Sequence, residues 1–334
     1  MKTLFAAMIL SIGFDCLPAT ARQPDEADFD PGKVEEYKAK AGQGDANARN
    51  DLGLCYYKGE GVEKNLTEAV KWFRAAADQG CAKAQSRLGT CYSNGRGVAK
   101  DLAEAMKWWR KAADQDDAMA QYNLGVGYAK GQGVNQDLAE AVKWWRKAAA
   151  QGEPGAQYNL GVLYDDGTGV SRDYAEAANW YRKAADQGLA EAQHNLGVIL
   201  ADGKGVPRDY AEAAKWFRKA AEQGFVMAQR NLALAYVNGH GVPKDCTEAV
   251  KWFRKAADQG DESSAYNLGV AHAYGQGVQK NDVLACMWLE LANASEENAF
   301  RLKVEVEKRM TPAQVAEARN LSREWKLKSA RNIP

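Results

Sequence analysis

The chain has 334 residues, with 44 Lys and Arg balanced by 44 Asp and Glu. That balance excludes a whole-molecule nucleic-acid binder, which carries a basic excess. With 46% hydrophobic and 26% charged residues, it also excludes a disordered chain.

Residues 1–21 read as an export signal. Lys2 supplies the positive start, and Leu4 to Phe14 form an apolar run of 11 residues. Such a run is too short to span a bilayer, which takes about 20 residues. Pro18 breaks it, and Ala19-Thr20-Ala21 fits a small-x-small cleavage site, so the expected mature chain begins at Arg22. Asp15 sits awkwardly just after the run. No other segment is apolar enough to enter a membrane. Residues 22–44 read as an acidic leader (Asp25, Glu26, Asp28, Asp30) followed by a capping helix built on Val34, Tyr37 and Ala41.

From Asp45 the chain returns to itself every 36 residues, seven times without insertion, over 45–296. Place 8 of each unit is Leu: Leu52, Leu88, Leu124, Leu160, Leu196, Leu232 and Leu268. Place 4 is Ala except for Ser264, and place 12 is mostly Tyr. Places four apart share one face of a helix. Place 9 is Gly in every unit except at Ala233. A repeated helical Gly costs about 1 kcal/mol each time, which points to close helix–helix approach.

A G-x-G-V turn follows in every unit, from Gly59-Glu60-Gly61-Val62 to Gly275-Gln276-Gly277-Val278. Its first Gly suits a left-handed helix end. No strand precedes it and no Gly-Lys-Ser/Thr follows, so it is not a phosphate loop. A second helix then opens with an acidic cap, as in Asp101-Leu102-Ala103-Glu104. Its places 22, 25, 26, 29, 32 and 33 form an apolar side. Places 23, 24, 27, 30, 31 and 34 form a back read as solvated. Place 28 is always Trp, from Trp72 to Trp288, positioned to wedge against the neighbouring repeat.

This pattern (A-x-x-x-L-G-x-x-Y-x-x-G-x-G-V, acidic cap, E-A, W-[FWY]-[RK]-K-A-A, closing Gly) resembles the Sel-one-like repeat of the tetratricopeptide superfamily. The resemblance implies an all-α fold: a right-handed α-solenoid, or superhelix, of seven helix-turn-helix repeats with helical caps. It also implies an adaptor or scaffold that binds proteins or peptides. Residues 297–334 read as a C-terminal helical cap. Asn298 to Met310 suit one helix, and Thr311-Pro312-Ala313-Gln314 opens another.

No catalytic constellation stands out. His194, His240 and His272 fall in different repeats without metal-ligand spacing, and no Ser-x-x-Lys or G-x-S-x-G occurs. No cofactor or metal is implied. Some Sel-one-like proteins carry a regular cysteine pair per repeat and are credited with acting on β-lactams. Cys55, Cys81, Cys91, Cys246 and Cys286 lack that pairing, and mostly buried thiols are expected. A hydrolase or binder of β-lactams or cell-wall fragments is one alternative, and a structural envelope-maintenance protein is another.

The favoured function is a non-catalytic scaffold, exported to the periplasm or beyond, with a protein or peptide in the concave groove. The candidate contacts come from first helices, which line the concave side of stacked pairs. At place 6 they are Tyr122, Tyr158, His194, Arg230 and Tyr266. At place 7 they are Asn123, Asn159, Asn195, Asn231 and Asn267, an amide ladder able to grip an extended backbone. The same ladder could instead bridge neighbouring helices. Partner identity and oligomeric state are not legible.

Overall fold

The computed structural model of the chain describes residues 30–292 and 297–331. Residues 1–29, where an export signal and most of an acidic leader are expected, lie outside the described residues. The regular elements among the described residues are helices, preceded by one short 3-10 turn at Pro31–Lys33. A capping helix α1 (Val34–Gly42) comes first. The first helices of the repeats are α2 (Ala46–Lys58), α4 (Ala82–Asn94), α6 (Ala118–Lys130), α8 (Pro154–Asp166), α10 (Ala190–Asp202), α12 (Val226–Asn238) and α14 (Glu262–Tyr274). The second helices are α3 (Leu66–Ala77), α5 (Leu102–Ala113), α7 (Leu138–Ala150), α9 (Tyr174–Asp186), α11 (Tyr210–Glu222), α13 (Cys246–Asp258) and α15 (Asp282–Leu291). Two cap helices, α16 (Glu297–Glu307) and α17 (Pro312–Arg331), close the chain.

The chain divides into two compact units, Met1–Ala184 and Ala185–Pro334, with the division in the last turn of α9. Within the first unit, α2 packs on α3, α4 on α5 and α6 on α7, and each second helix packs on the first helix of the next repeat. The second unit repeats this arrangement from α10 to α15, and α16 and α17 cover α15. Each unit is thus a stack of helix pairs, an all-α solenoid segment in which a pair borrows its core from its neighbours.

The caps follow local chemistry. Asp101 Oδ1 accepts from the Glu104 backbone N–H at 2.9 Å, and Asp137 and Asp209 do the same for Glu140 and Glu212. The reciprocal half of the capping box is not made. The backbone N–H of Asp101 donates instead to the Tyr92 carbonyl, and that of Asp137 to Tyr128. Freed from that role, Glu104 and Glu140 each accept a Trp indole N–H at 3.0 Å, from Trp108 and Trp144. At the C-terminus, Thr311 and Gln314 do form the reciprocal box, with Pro312 in the first turn.

Close approach explains the place-9 glycines. A Cβ on Gly53, Gly89, Gly161 or Gly197 would lie 2.6 Å from the ring of Phe73, Trp109, Tyr181 or Phe217, the place-29 aromatic of the same repeat. The second Gly of the turn has a different role. It has φ near +73°, and a Cβ there would collide with the first turn of the preceding repeat's second helix: Gly97 with Leu66, Gly133 with Leu102, Gly241 with Tyr210. The turn is therefore a joint between repeats as well as a bend within one.

The place-28 tryptophans wedge as expected. Trp108 joins Leu54 and Phe73 of the preceding repeat and Leu88 of its own, and Trp144 joins Met106 and Trp109 of the preceding repeat and Leu124 of its own, so each core spans a joint. The solvated back holds only in part. Arg74, Arg110 and Arg146 at place 30 donate to the Tyr92, Tyr128 and Tyr164 hydroxyls of the next repeat. Gln85, Gln121 and Gln157 tie repeats together on the other side, donating to the Ala77, Ala113 and Ala149 carbonyls near helix ends.

One joint residue breaks the pattern. Place 36 is a positive-φ Gly in most repeats, such as Gly80 and Gly152, but Asp116 holds φ 64° in the second. A left-handed L-residue costs about 1–2 kcal/mol. Asp116 recovers part of this by accepting from Gln121 Nε2 at 3.2 Å. Asp116→Gly is expected to raise stability by about 0.5–1 kcal/mol, read as a higher denaturation midpoint. A lower midpoint would mean that the Gln121 bond outweighs the backbone cost.

Candidate partner-binding face

The place-6 and place-7 residues behave differently in the two units. In the first unit they are enclosed: Tyr122 is 3% exposed and Tyr158 2%, with Asn123 and Asn159 also buried. Gly155 at the start of α8 makes room for Tyr122, since a Cβ there would lie 2.9 Å from its ring. Tyr158 packs against Tyr181 with ring centroids 5.8 Å apart.

In the second unit, His194 is 7% exposed. Its ring packs between Phe225 and Phe217, at centroid distances of 5.3 and 5.9 Å. His194 Nδ1 faces the Asn195 Oδ1 at 3.0 Å, and His194 Nε2 faces the Asn231 Nδ2 at 3.0 Å. Oδ1 only accepts and Nδ2 only donates, so the proton sits on Nδ1. Burial holds this imidazole down at about 4, so it is neutral at physiological pH.

Asn231 therefore reaches from place 7 to place 6 of the preceding repeat. Arg87 reaches Asn50 Oδ1 in the same register, at 2.6 Å. Arg230 pairs with Asp261 at 2.7 Å, and Asn267 donates to the Ser263 carbonyl at 2.8 Å. Tyr266 is half-buried. The structure thus gathers His194, Asn195 and Asn231 into one network. Tyr266 and Asn267 stand apart from it, and Arg230, paired with Asp261, acts on His194 through its charge alone.

Sequence reasoning missed place 10, which lies between those rows. Val126 and Val162 of the first unit are buried. Their second-unit counterparts Val198 and Val270 are half-buried, and Leu234 is 36% exposed. Place 14 adds Tyr274, 52% exposed. Between α10, α11 and α12 lies a recess of about 220 Å³ lined by Val198, Phe217, Leu234, Asn231, Asn238 and His240. His240 closes one rim by stacking on Tyr210, with centroids 4.4 Å apart and planes 16° from parallel. The run of apolar residues at place 10 was the available signal.

Among the described residues no group of three or more His, Cys, Asp and Glu is placed to hold a metal ion, and no helix is long and apolar enough to cross a membrane. Cys55, Cys91 and Cys286 are buried free thiols, pushed up to about 11, 12 and 11 mainly by burial. Cys81 and Cys246 are half-buried and also free.

Glu153 is the unusual acid. It caps α8, accepting the Ala156 backbone N–H, and its other carboxylate oxygen is buried without a partner. Burial raises it from 4.5 to about 7. A raised carboxyl favours the fold below pH 4.5, and that contribution is lost as pH rises through 7. Glu153→Gln is expected to remove this decline, gaining on the order of 1–3 kcal/mol over the wild type above pH 7. Parallel melts at pH 4.5 and 8 check it, and an unchanged difference between the two proteins would contradict it.

Fold and face together define a helical-repeat scaffold. The Sel1 repeat pattern matches residues 46–81, 82–117, 118–153, 154–189, 190–225, 226–261 and 263–295, and the chain belongs to the Sel1 repeat family. Solved structures agree. A Sel1 repeat protein from Oxalobacter formigenes is 34% identical over 74% of this chain and 98% of its own, with TM-score 0.64. A protective antigen present in uropathogenic Escherichia coli strains, with an SLR fold, is 28% identical over 99% of this chain and 85% of its own, with TM-score 0.55. No curated protein matches the chain significantly.

Proposed function

We propose that the protein is an exported, non-catalytic scaffold that binds a protein or peptide segment along the first-helix face of its second unit. One observation carries this reading. The place-10 row is buried at Val126 and Val162 but accessible at Val198, Leu234 and Val270, beside the recess. A recess of about 220 Å³ accommodates one large apolar side chain and is smaller than the usual small-molecule pocket of about 300–1,000 Å³. Asn238 and Asn231 at its edge offer amide groups to a passing peptide backbone. Tyr266 and Asn267 extend the face toward α14.

Peptides selected from a displayed random library on the full chain test the proposal. Leu234→Asp places a charge in the row without touching the core, and is expected to weaken selected peptides at least about tenfold. Equal binding to wild type and variant would move the site elsewhere. Turnover of a chromogenic β-lactam above background would overturn the non-catalytic reading. Export is checked by sequencing the N-terminus of the mature protein, expected at Arg22.

A further inference from the structure

The second-helix side of the first unit carries cations without carboxylate partners. Glu104 and Glu140 are taken by Lys107 and Lys143, each at 3.0 Å. Arg110 and Arg146 are left with neutral partners, donating to the Tyr128 hydroxyl at 2.6 Å and the Tyr164 hydroxyl at 2.9 Å. Arg74 donates likewise to Tyr92. Among the described residues none of the three makes an ion pair, although Asp78 and Asp114 stand four residues beyond Arg74 and Arg110. In the second unit Arg254 does pair with its equivalent, Asp258, at 2.9 Å.

The unpaired arginines are also held in place. The Arg110 guanidinium lies over the Trp144 ring, 4.7 Å from its centroid, and Arg74 lies over Trp108 at 5.4 Å. Two exposed lysines flank them, Lys111 over Trp108 at 4.1 Å and Lys147 over Trp144 at 4.5 Å. A guanidinium fixed between rings loses little entropy when it meets a carboxylate. Beside the middle arginine is a second recess, of about 560 Å³, floored by Met106, Trp108, Leu124 and Val134.

We infer that this side of the first unit is a second docking surface, for an extended acidic segment of a partner protein that presents one carboxylate per repeat. Register supports this. Arg74 reaches the Trp108 ring and Arg110 the Trp144 ring, each two residues before the next arginine, so the three cations are successive neighbours on α3, α5 and α7, and three residues of extended chain cover about 10 Å. An acidic residue at every third position therefore meets Arg74, Arg110 and Arg146 in turn. An apolar side chain next to the middle acid enters the recess. This site is independent of the place-10 row in the second unit, so either can fail alone.

The probe is a dye-labelled twelve-residue peptide with Glu at every third position and Leu beside the central Glu. Anisotropy is followed with the full chain at low salt and near 0.5 M, where the screening length falls to a few ångströms. Binding at low salt is expected to weaken steeply with salt and at least about tenfold when Gln replaces Glu in the peptide. Arg110→Gln should weaken it about tenfold. Lys111→Gln, at an exposed position, should weaken it about threefold without altering the melt. No binding at low salt, equal binding of the Gln peptide, or indifference to both substitutions would overturn the inference. So would tighter binding of inorganic polyphosphate that ignores Arg110→Gln, which would reveal unspecific attraction for polyanions.

Discussion

Gly241→Ala is expected to lower stability by about 3 kcal/mol or more, whereas Gly239→Ala, two residues earlier in the same turn, should cost about 1–2 kcal/mol. Both glycines have φ of +73°, so the left-handed backbone penalty is common to the two. They differ in what a methyl group meets. At Gly239 the nearest atoms are at ordinary contact distance, 3.6 Å from Lys244 Cβ. At Gly241 the methyl would occupy the space of the Tyr210 carbonyl, at the start of α11 in the preceding repeat. Backbone cannot rotate away as a side chain can, so the repeats must part or the turn must deform. The difference between the two variants therefore isolates the cost of opening one repeat joint. Urea titrations of both, followed by helix content, measure it. Equal losses would mean that the turn glycine serves backbone freedom alone.

Trp144→Ala carries the second large expected effect, about 3–5 kcal/mol, the usual cost of emptying a buried aromatic site. The loss should be felt one repeat upstream, because Trp144 packs with Met106 and Trp109 of the preceding repeat. It also releases Arg110, which lies over the ring, and leaves Glu140 without its indole donor. Trp144→Phe keeps most of the apolar area and loses the N–H with the part of the fused ring that carries it. Its cost should stay near 1 kcal/mol, because Lys143 still holds Glu140. Hydrogen exchange reports where the damage lies. Protection should fall in α5 and α6 as much as in α7. Loss confined to α7 would make the tryptophan a local residue rather than a wedge.

Periodicity made the repeat frame, the tryptophan wedge and the caps at both ends readable, since each depends on spacing within one helix. Joints between repeats were less readable. Gly97 and Gly241 recur visibly, but their contact with Leu66 and Tyr210 depends on how one helix pair sits on the next. Arg110 looked solvated because a helical wheel shows its own helix and not Tyr128 of the following repeat. The glutamines at Gln85, Gln121 and Gln157 recur at 36 residues as plainly as the leucines, yet their role as carbonyl partners needs the stacked neighbour. The candidate site suffered most. Variation at place 6 suggested freedom to contact a partner. Tyr122 is instead buried because a later repeat offers Gly155 as a seat, and His194 because two asparagines clasp it.

The central physical claim is that one helix pair has no core of its own and takes it from the pairs beside it. Circular dichroism of the excised third repeat, residues 117–152, beside the whole chain addresses this most directly. The account expects the lone repeat to be unfolded, with no cooperative melt, while the whole chain is strongly helical, because repeats of this kind need about three copies to hold. A single repeat with native helix content and a sharp thermal transition would contradict it.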